Sequence, residues 1–124
     1  FVAAKHDPDL GTCSQVATGS WGCGAFYNNE RVMFVIQALA AGLAGVDLTH
    51  HVLGDGMRLG PAFDFLEDAL IKKMTMADAL DHLAAKCSSD PAWQTKFDPE
   101  RARRFVGGAT GTSTAAGGQI QAKI

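Results

Sequence analysis

Apolar positions recur along this chain with two different periods. Residues 15–18, Gln-Val-Ala-Thr, read as a short strand carrying β-branched side chains. From Glu30 to about Ala44 the pattern becomes helical. Val32, Ile36, Leu39 and Leu43 are spaced by four, three and four, which is one face of a helix, and Met33, Val35 and Ala40 widen that stripe. Asn28 or Asn29 suits the N-cap, and Gly42 and Gly45 mark the end. Val46 to Leu53 then reads as a second strand, closed by Gly54-Asp55-Gly56. Strand, helix, strand predicts a βαβ crossover in a parallel or mixed sheet. Pro61 opens a second helix to about Met74, with Phe63, Leu66 and Leu70 on one face and Phe65 and Ala69 beside it. Thr75 and Asp78 resemble a capping box ahead of a third helix to about Lys86, striped by Met76, Leu80, Leu83 and Cys87. These stripes read as core.

After Cys87 the pattern lapses. Ser88 to Pro91 reads as a linker, and Trp93 and Phe97 are apolar side chains for docking on the body or on a partner. Asp98-Pro99 opens a short helix over 99–106. Arg101, Arg103 and Arg104 read there as a solvated face rather than a nucleic-acid patch, which calls for a wider basic field and interleaved aromatics. Residues 107–118 are low in complexity and cannot bury enough surface to fold alone. The expected division is therefore 1–87 as the folded part and 88–124 as linker, short helix and Gly/Ala/Thr-rich tail.

Composition narrows the function classes. At 124 residues the chain makes at most one domain, and a net charge of −2 gives no general attraction to nucleic acid or anionic membrane. No run approaches the ~20 apolar residues of a membrane span. No basic stretch precedes an apolar one at the start, so no secretory signal is expected. Three cysteines without CxxC spacing argue against a disulfide framework or structural zinc and fit a reducing, intracellular compartment, with nucleus and cytoplasm both open. Cys23 reads as a small residue filling a tight loop, with a reactive thiol as the lesser reading. His50 and His51 are adjacent in a strand and point to opposite faces, so no metal and no cofactor is expected.

The candidate chemistry lies between the first strand and the first helix, in Gly19-Ser20-Trp21-Gly22-Cys23-Gly24-Ala25-Phe26. A strand, a glycine loop and a helix present backbone N–H groups to an anion, and the aromatics offer flat apolar surfaces beside it. Two common phosphate motifs fail. There is no Gly-Lys-Ser/Thr, and the third glycine of the dinucleotide fingerprint is missing, although Asp47 stands where its ribose acid would.

ATGSWGCGAF at 17–26, the helix ERVMFVIQALAAGLAG and the strand ending in Leu53-Gly54-Asp55 resemble the C-terminal half of the macrodomain of poly(ADP-ribose) glycohydrolases, over roughly 13–87. The resemblance implies an α/β fold: part of a macrodomain-like mixed sheet flanked by helices, here with an extended low-complexity C-terminal tail. It also implies that Gly19, Ser20, Trp21, Gly22, Cys23, Gly24 and Ala25 wrap the diphosphate of a terminal ADP-ribose while Phe26 packs beside the ribose at the scissile bond. The partner would be poly(ADP-ribose) or ADP-ribose, and the intact enzyme would hydrolyse its ribose–ribose bonds. Ser20 replaces the usual Asn, Leu53 stands where an aromatic often lies near the adenine, and Tyr27-Asn28-Asn29 replaces Gly-Gly-Asp. The family's Gln-Glu-Glu is absent. No Glu precedes Glu30, and the upstream acids are Asp7 and Asp9. No catalytic residue is therefore assigned, although cleavage through an oxocarbenium-like state needs a positioned carboxyl.

The chain opens on Phe1 rather than Met. Together with the absent motif, this leads to the expectation that an N-terminal half, or another protein chain, completes the domain and that these residues do not fold alone. The competing expectation is a non-catalytic, degenerate macrodomain serving as a structural or ADP-ribose-binding subunit of a larger assembly.

Overall fold

The computed structural model describes residues 13–24 and 27–94, and the backbone of 117–122. Strand β1 spans Gln15–Gly19, helix α1 Glu30–Ala44 and strand β2 Asp47–Leu53. A 3-10 turn at Gly56–Leu59 leads into α2, Gly60–Ile71. Helix α3 spans Met76–Ser89, a second 3-10 turn covers Pro91–Trp93, and β3 is Gly117–Ala122. No described helix is long and apolar enough to cross a membrane. The short helix read over 99–106, the Arg101–Arg104 cluster and Phe97 lie outside the described residues.

The elements end where their local chemistry says they should. Asn29 caps α1 by accepting from the N–H groups of Arg31 and Val32, and Gly45 stops it with φ 64°, a left-handed conformation that glycine adopts without a Cβ penalty. At α3 the capping box forms with Asp in place of Glu. Thr75 Oγ1 accepts from Asp78 N–H at 3.1 Å, while Asp78 Oδ2 accepts from Thr75 N–H at 3.3 Å.

β1 and β2 pair in parallel, from Gln15 opposite Asp47 to Gly19 opposite His51, as expected for two strands joined by a helix. β3 adds antiparallel to the other side of β2, with Leu53 opposite Gly117 and Leu48 opposite Ala122. The sheet is thus mixed, with β2 in its centre. The third strand comes from the end of the chain, where the composition reads as tail. Its backbone groups find their partners on β2, so it needs no core of its own.

One face of the sheet carries the core. Leu48, His50 and Val52 of β2 are buried toward α1, with Phe34, Val35, Ala38, Ala41, Leu59, Ala62 and Leu66 packed around them. On the opposite face His51 and Leu53 are exposed. The two histidines therefore part as their alternation requires.

The helix stripes need correction in phase. On α1 the buried residues are Phe34, Val35, Gln37, Ala38, Ala41 and Ala44, while Leu43 is 72% exposed and Ile36 is exposed. Alanines at 38, 41 and 44 let α1 lie close to the sheet. The bulkier Val32 and Leu39 sit at the margin. Leu70 of α2 and Leu80 of α3 are likewise exposed, displaced from the core by Ala69 and Ala79. Helix α3 also runs past Lys86 to Ser89. The following turn drives Trp93 into the body, 3% exposed, with its ring 5.6 Å from that of Phe65.

Candidate functional site

β1 ends at Gly19, and the chain turns at once. Gly19 O accepts from Trp21 N–H at 2.8 Å, and Ser20 O accepts from Cys23 N–H at 3.2 Å. Gly22 sits at φ 65°, and its carbonyl accepts from Asn28 N–H at 3.0 Å, which draws the outgoing arm of the loop back on the incoming one. The glycine at 22 is thus required by its left-handed backbone. Tyr27 takes φ 57°, a left-handed conformation that residues with a Cβ adopt at a cost. Cys23 is buried, and its thiol donates to Trp21 O at 3.4 Å, which fits the small loop-filling residue.

The loop delivers the chain to the N-terminus of α1. Ser20 Oγ donates to Glu30 Oε1 at 2.8 Å, which ties the start of the loop to the first helical turn. The other carboxylate oxygen of Glu30 lies 3.6 Å from Arg58 Nη2. Arg58 is itself fixed, donating from Nη2 to Leu53 O at 2.6 Å and from Nε to Asp55 O at 3.1 Å. A carboxylate in the first turn complements the helix dipole, and Arg58 balances the charge that Glu30 would otherwise present to an incoming anion.

These groups surround an open cavity of about 470 Å³. Ser20, Cys23 and Gly24 line it from the loop, Asn29 and Glu30 from the helix start, and Leu53 and Arg58 from the end of β2 and the turn after it. Pro91, Ala92 and Gln94 close the remaining side. That wall is held by side chains of the helix start. Asn29 Nδ2 donates to Ala92 O at 3.0 Å and to Gln94 O at 3.1 Å, and Arg31 reaches Ala92 O at 3.3 Å and Arg58 O at 3.1 Å. The cavity thus sits at the carboxyl ends of two parallel strands, where open α/β sheets place their ligands.

Of the eight residues singled out in the loop, Ser20, Cys23 and Gly24 meet at the cavity. Gly19, Trp21 and Gly22 shape the loop without lining that space, Trp21 being 54% exposed. Ala25 and Phe26 lie outside the described residues. Leu53 lines the cavity with an aliphatic side chain, so the stacking surface of an aromatic is lost there. Sequence reasoning missed Glu30, Arg58 and the 91–94 wall. Arg58 and the wall meet the loop only through the fold, and the signal for Asn29 was limited to its capping chemistry. No group of His, Cys, Asp and Glu among the described residues is placed to hold a metal ion.

Behind the loop lies a buried polar chain. Gln37 Nε2 donates to Gly19 O at 3.1 Å, and Gln37 Oε1 lies 3.2 Å from His50 Nδ1. His50 is fully buried, with the ring of Phe34 edge-on at 5.0 Å. Burial pushes its imidazole below the ordinary pKa of 6.5. The charge of Glu30 works in the opposite sense, and His51 adds to the lowering. His50 Nε2 and Thr18 Oγ1 are buried without a hydrogen-bond partner among the described residues.

Residues 1–58 match the sequence model of a known family, described as poly(ADP-ribose) glycohydrolase with the macro domain fold. Over that span the chain is similar to a poly(ADP-ribose) glycohydrolase macro domain segment. The matched span is 58 of the 124 residues, and it takes in β1, the loop, α1, β2 and Arg58. The kind of substrate that goes with this family is poly(ADP-ribose). No solved structure matches the chain. The cavity wall at 91–94, helices α2 and α3, and β3 are thus built by residues beyond the matched macro domain segment.

Proposed function

We propose that the loop from Gly19 to Phe26 binds the diphosphate of ADP-ribose, as the positioning part of a glycohydrolase whose intact form hydrolyses the ribose–ribose bonds of poly(ADP-ribose). The observation that carries this reading is the shared cavity: the glycine loop, the first turn of a 15-residue helix and the carboxyl ends of two parallel strands all open onto one space. Backbone N–H groups at such a junction suit a diphosphate. Among the described residues that line the cavity, Arg58 adds the one full positive charge. Glu30 is an unsuitable acid for bond cleavage here, because Ser20 and Arg58 engage both its oxygens. The role assigned to this chain's residues is to hold and orient substrate.

Titration calorimetry with ADP-ribose, AMP and inorganic pyrophosphate tests the reading. ADP-ribose is expected to bind more tightly than either part. Gly22→Val is expected to weaken it at least about tenfold, by straining the φ 65° turn that gives the loop its shape. Absence of any heat at millimolar ADP-ribose refutes the site. Incubation with poly(ADP-ribose) then separates the two family readings: release of ADP-ribose supports the glycohydrolase, whereas binding without release leaves a binding module.

A further inference from the structure

We propose that Gln37 and His50 are positioning residues of the loop, acting on the ligand through the Gly19–Ser20 peptide. The inference rests on the reading of the loop as a diphosphate site. Gly19 O can only accept, so the group of Gln37 facing it at 3.1 Å is the donor Nε2. That orientation turns Oε1 toward His50, 3.2 Å away, and an acceptor there requires the proton on His50 Nδ1. One carbonyl thus sets an amide orientation, and the amide sets a histidine tautomer. The lone pair of His50 Nε2 is left in a buried place without a partner among the described residues.

The chain of bonds has a consequence at the ligand. The described peptide bonds are trans, so the N–H of Ser20 points opposite to the carbonyl of Gly19. While Gln37 holds that carbonyl inward, the Ser20 N–H is turned away from Gln37. Ser20 itself lines the cavity. Trp21 N–H also donates to Gly19 O, so this oxygen keeps a partner when Gln37 is removed, but it loses the contact that comes from the core. Gln37 is 2% exposed in the middle of the most apolar stretch of the chain, at a position where an aliphatic residue would pack without needing partners. Its polarity is explained by what it holds.

A structural role and a positioning role separate in a double variant. Gln37→Met alone strands the Nδ1–H of His50 and destabilises the protein. Gln37→Met with His50→Leu removes both polar partners, so stability is expected to return most of the way. ADP-ribose affinity is expected to stay about tenfold below wild type in both variants, because neither holds the Gly19 carbonyl. Recovery of affinity together with stability in the double variant overturns the proposal. A second readout needs no ligand: the amide resonances of Ser20 and Trp21 in the full chain should shift in the double variant, and unchanged resonances also overturn it. If the wild-type chain fails to bind ADP-ribose, the diphosphate reading falls, while the amide resonances still decide whether Gln37 sets the loop.

Discussion

Asn29 joins two parts of the site with one side chain, and its two ends can be tested apart. Its Oδ1 accepts from Arg31 N–H at 3.0 Å and from Val32 N–H at 3.3 Å, capping α1. Its Nδ2 donates to the carbonyls of Ala92 and Gln94, holding the far wall of the cavity. Asn29→Ala removes both functions. Loss of the cap costs about 1 kcal/mol. Two solvent-exposed hydrogen bonds add about 0.5–1 kcal/mol each, giving roughly 2–3 kcal/mol in total. Asn29→Asp keeps an acceptor at the cap and adds a negative charge at the helix start, which contributes about 0.3–1 kcal/mol, but it cannot donate to the two carbonyls. Its net loss should be about 1 kcal/mol.

Urea unfolding of the three proteins measures these differences, and the expected order is wild type, Asn29→Asp, Asn29→Ala. In thermal melts about 1 kcal/mol corresponds to a fall of roughly 3–6 °C in a chain of this size. The wall can be followed by the fluorescence of Trp93, read in a Trp21→Phe background because Trp21 is 54% exposed. Quenching of Trp93 by iodide should rise in both Asn29 variants, since both release the wall. An Asn29→Ala protein within about 0.5 kcal/mol of wild type would refute the bookkeeping, and so would an Asp variant as unstable as the Ala variant.

Three further outcomes follow from the same structure. Burial lowers the pKa of His50 below 6.5, so the unfolded chain takes up this proton before the folded one does. Stability from this group is complete above about pH 7.5 and lost as the pH falls below 6.5 toward the folded value, with a slope of up to about 1.4 kcal/mol per pH unit. Denaturant titrations of wild type and His50→Leu should therefore converge as the pH drops from 7.5 to 5. Trp93→Ala should cost about 3–5 kcal/mol in the same assay, as a buried aromatic against Phe65, and a loss below about 1 kcal/mol would mean that the 91–94 turn is not docked. On α1, Leu43→Ser should change stability by less than about 0.5 kcal/mol, whereas Ala41→Leu should cost about 1–3 kcal/mol by overpacking the sheet contact; the reverse order would restore the leucine stripe as the buried face.

The local parts of the site were legible before the fold was known. β1, the loop, α1 and β2 follow from short-range signals: β-branched residues, clustered glycines, an asparagine cap and a glycine stop. The phase of α1 was not. From Val32 to Ala44 nearly every residue is apolar or small, so the pattern yields the helix and leaves its buried face open. Reading the largest side chains as the core selects Ile36 and Leu43. A helix laid close on a sheet instead selects alanines for the contact. Arg58, Trp93 and β3 escaped for another reason: their partners are far away in sequence, and Gly117 to Ala122 form a strand only because β2 offers an edge.

Gln37 shows that the missing phase was nonetheless encoded. It is the one polar side chain between Val32 and Ala44. On an exposed face such a residue needs no explanation, and on a buried face it must have partners. Putting Leu43 and Ile36 in the core leaves Gln37 without a role. Putting Ala38, Ala41 and Ala44 there carries Gln37 inside with them, 2% exposed, where the carbonyl at the end of β1 and a histidine on β2 can receive it. The polar exception therefore orients the helix better than the apolar majority does. The same exception points to the site, because the carbonyl it satisfies is the one at which the glycine loop begins.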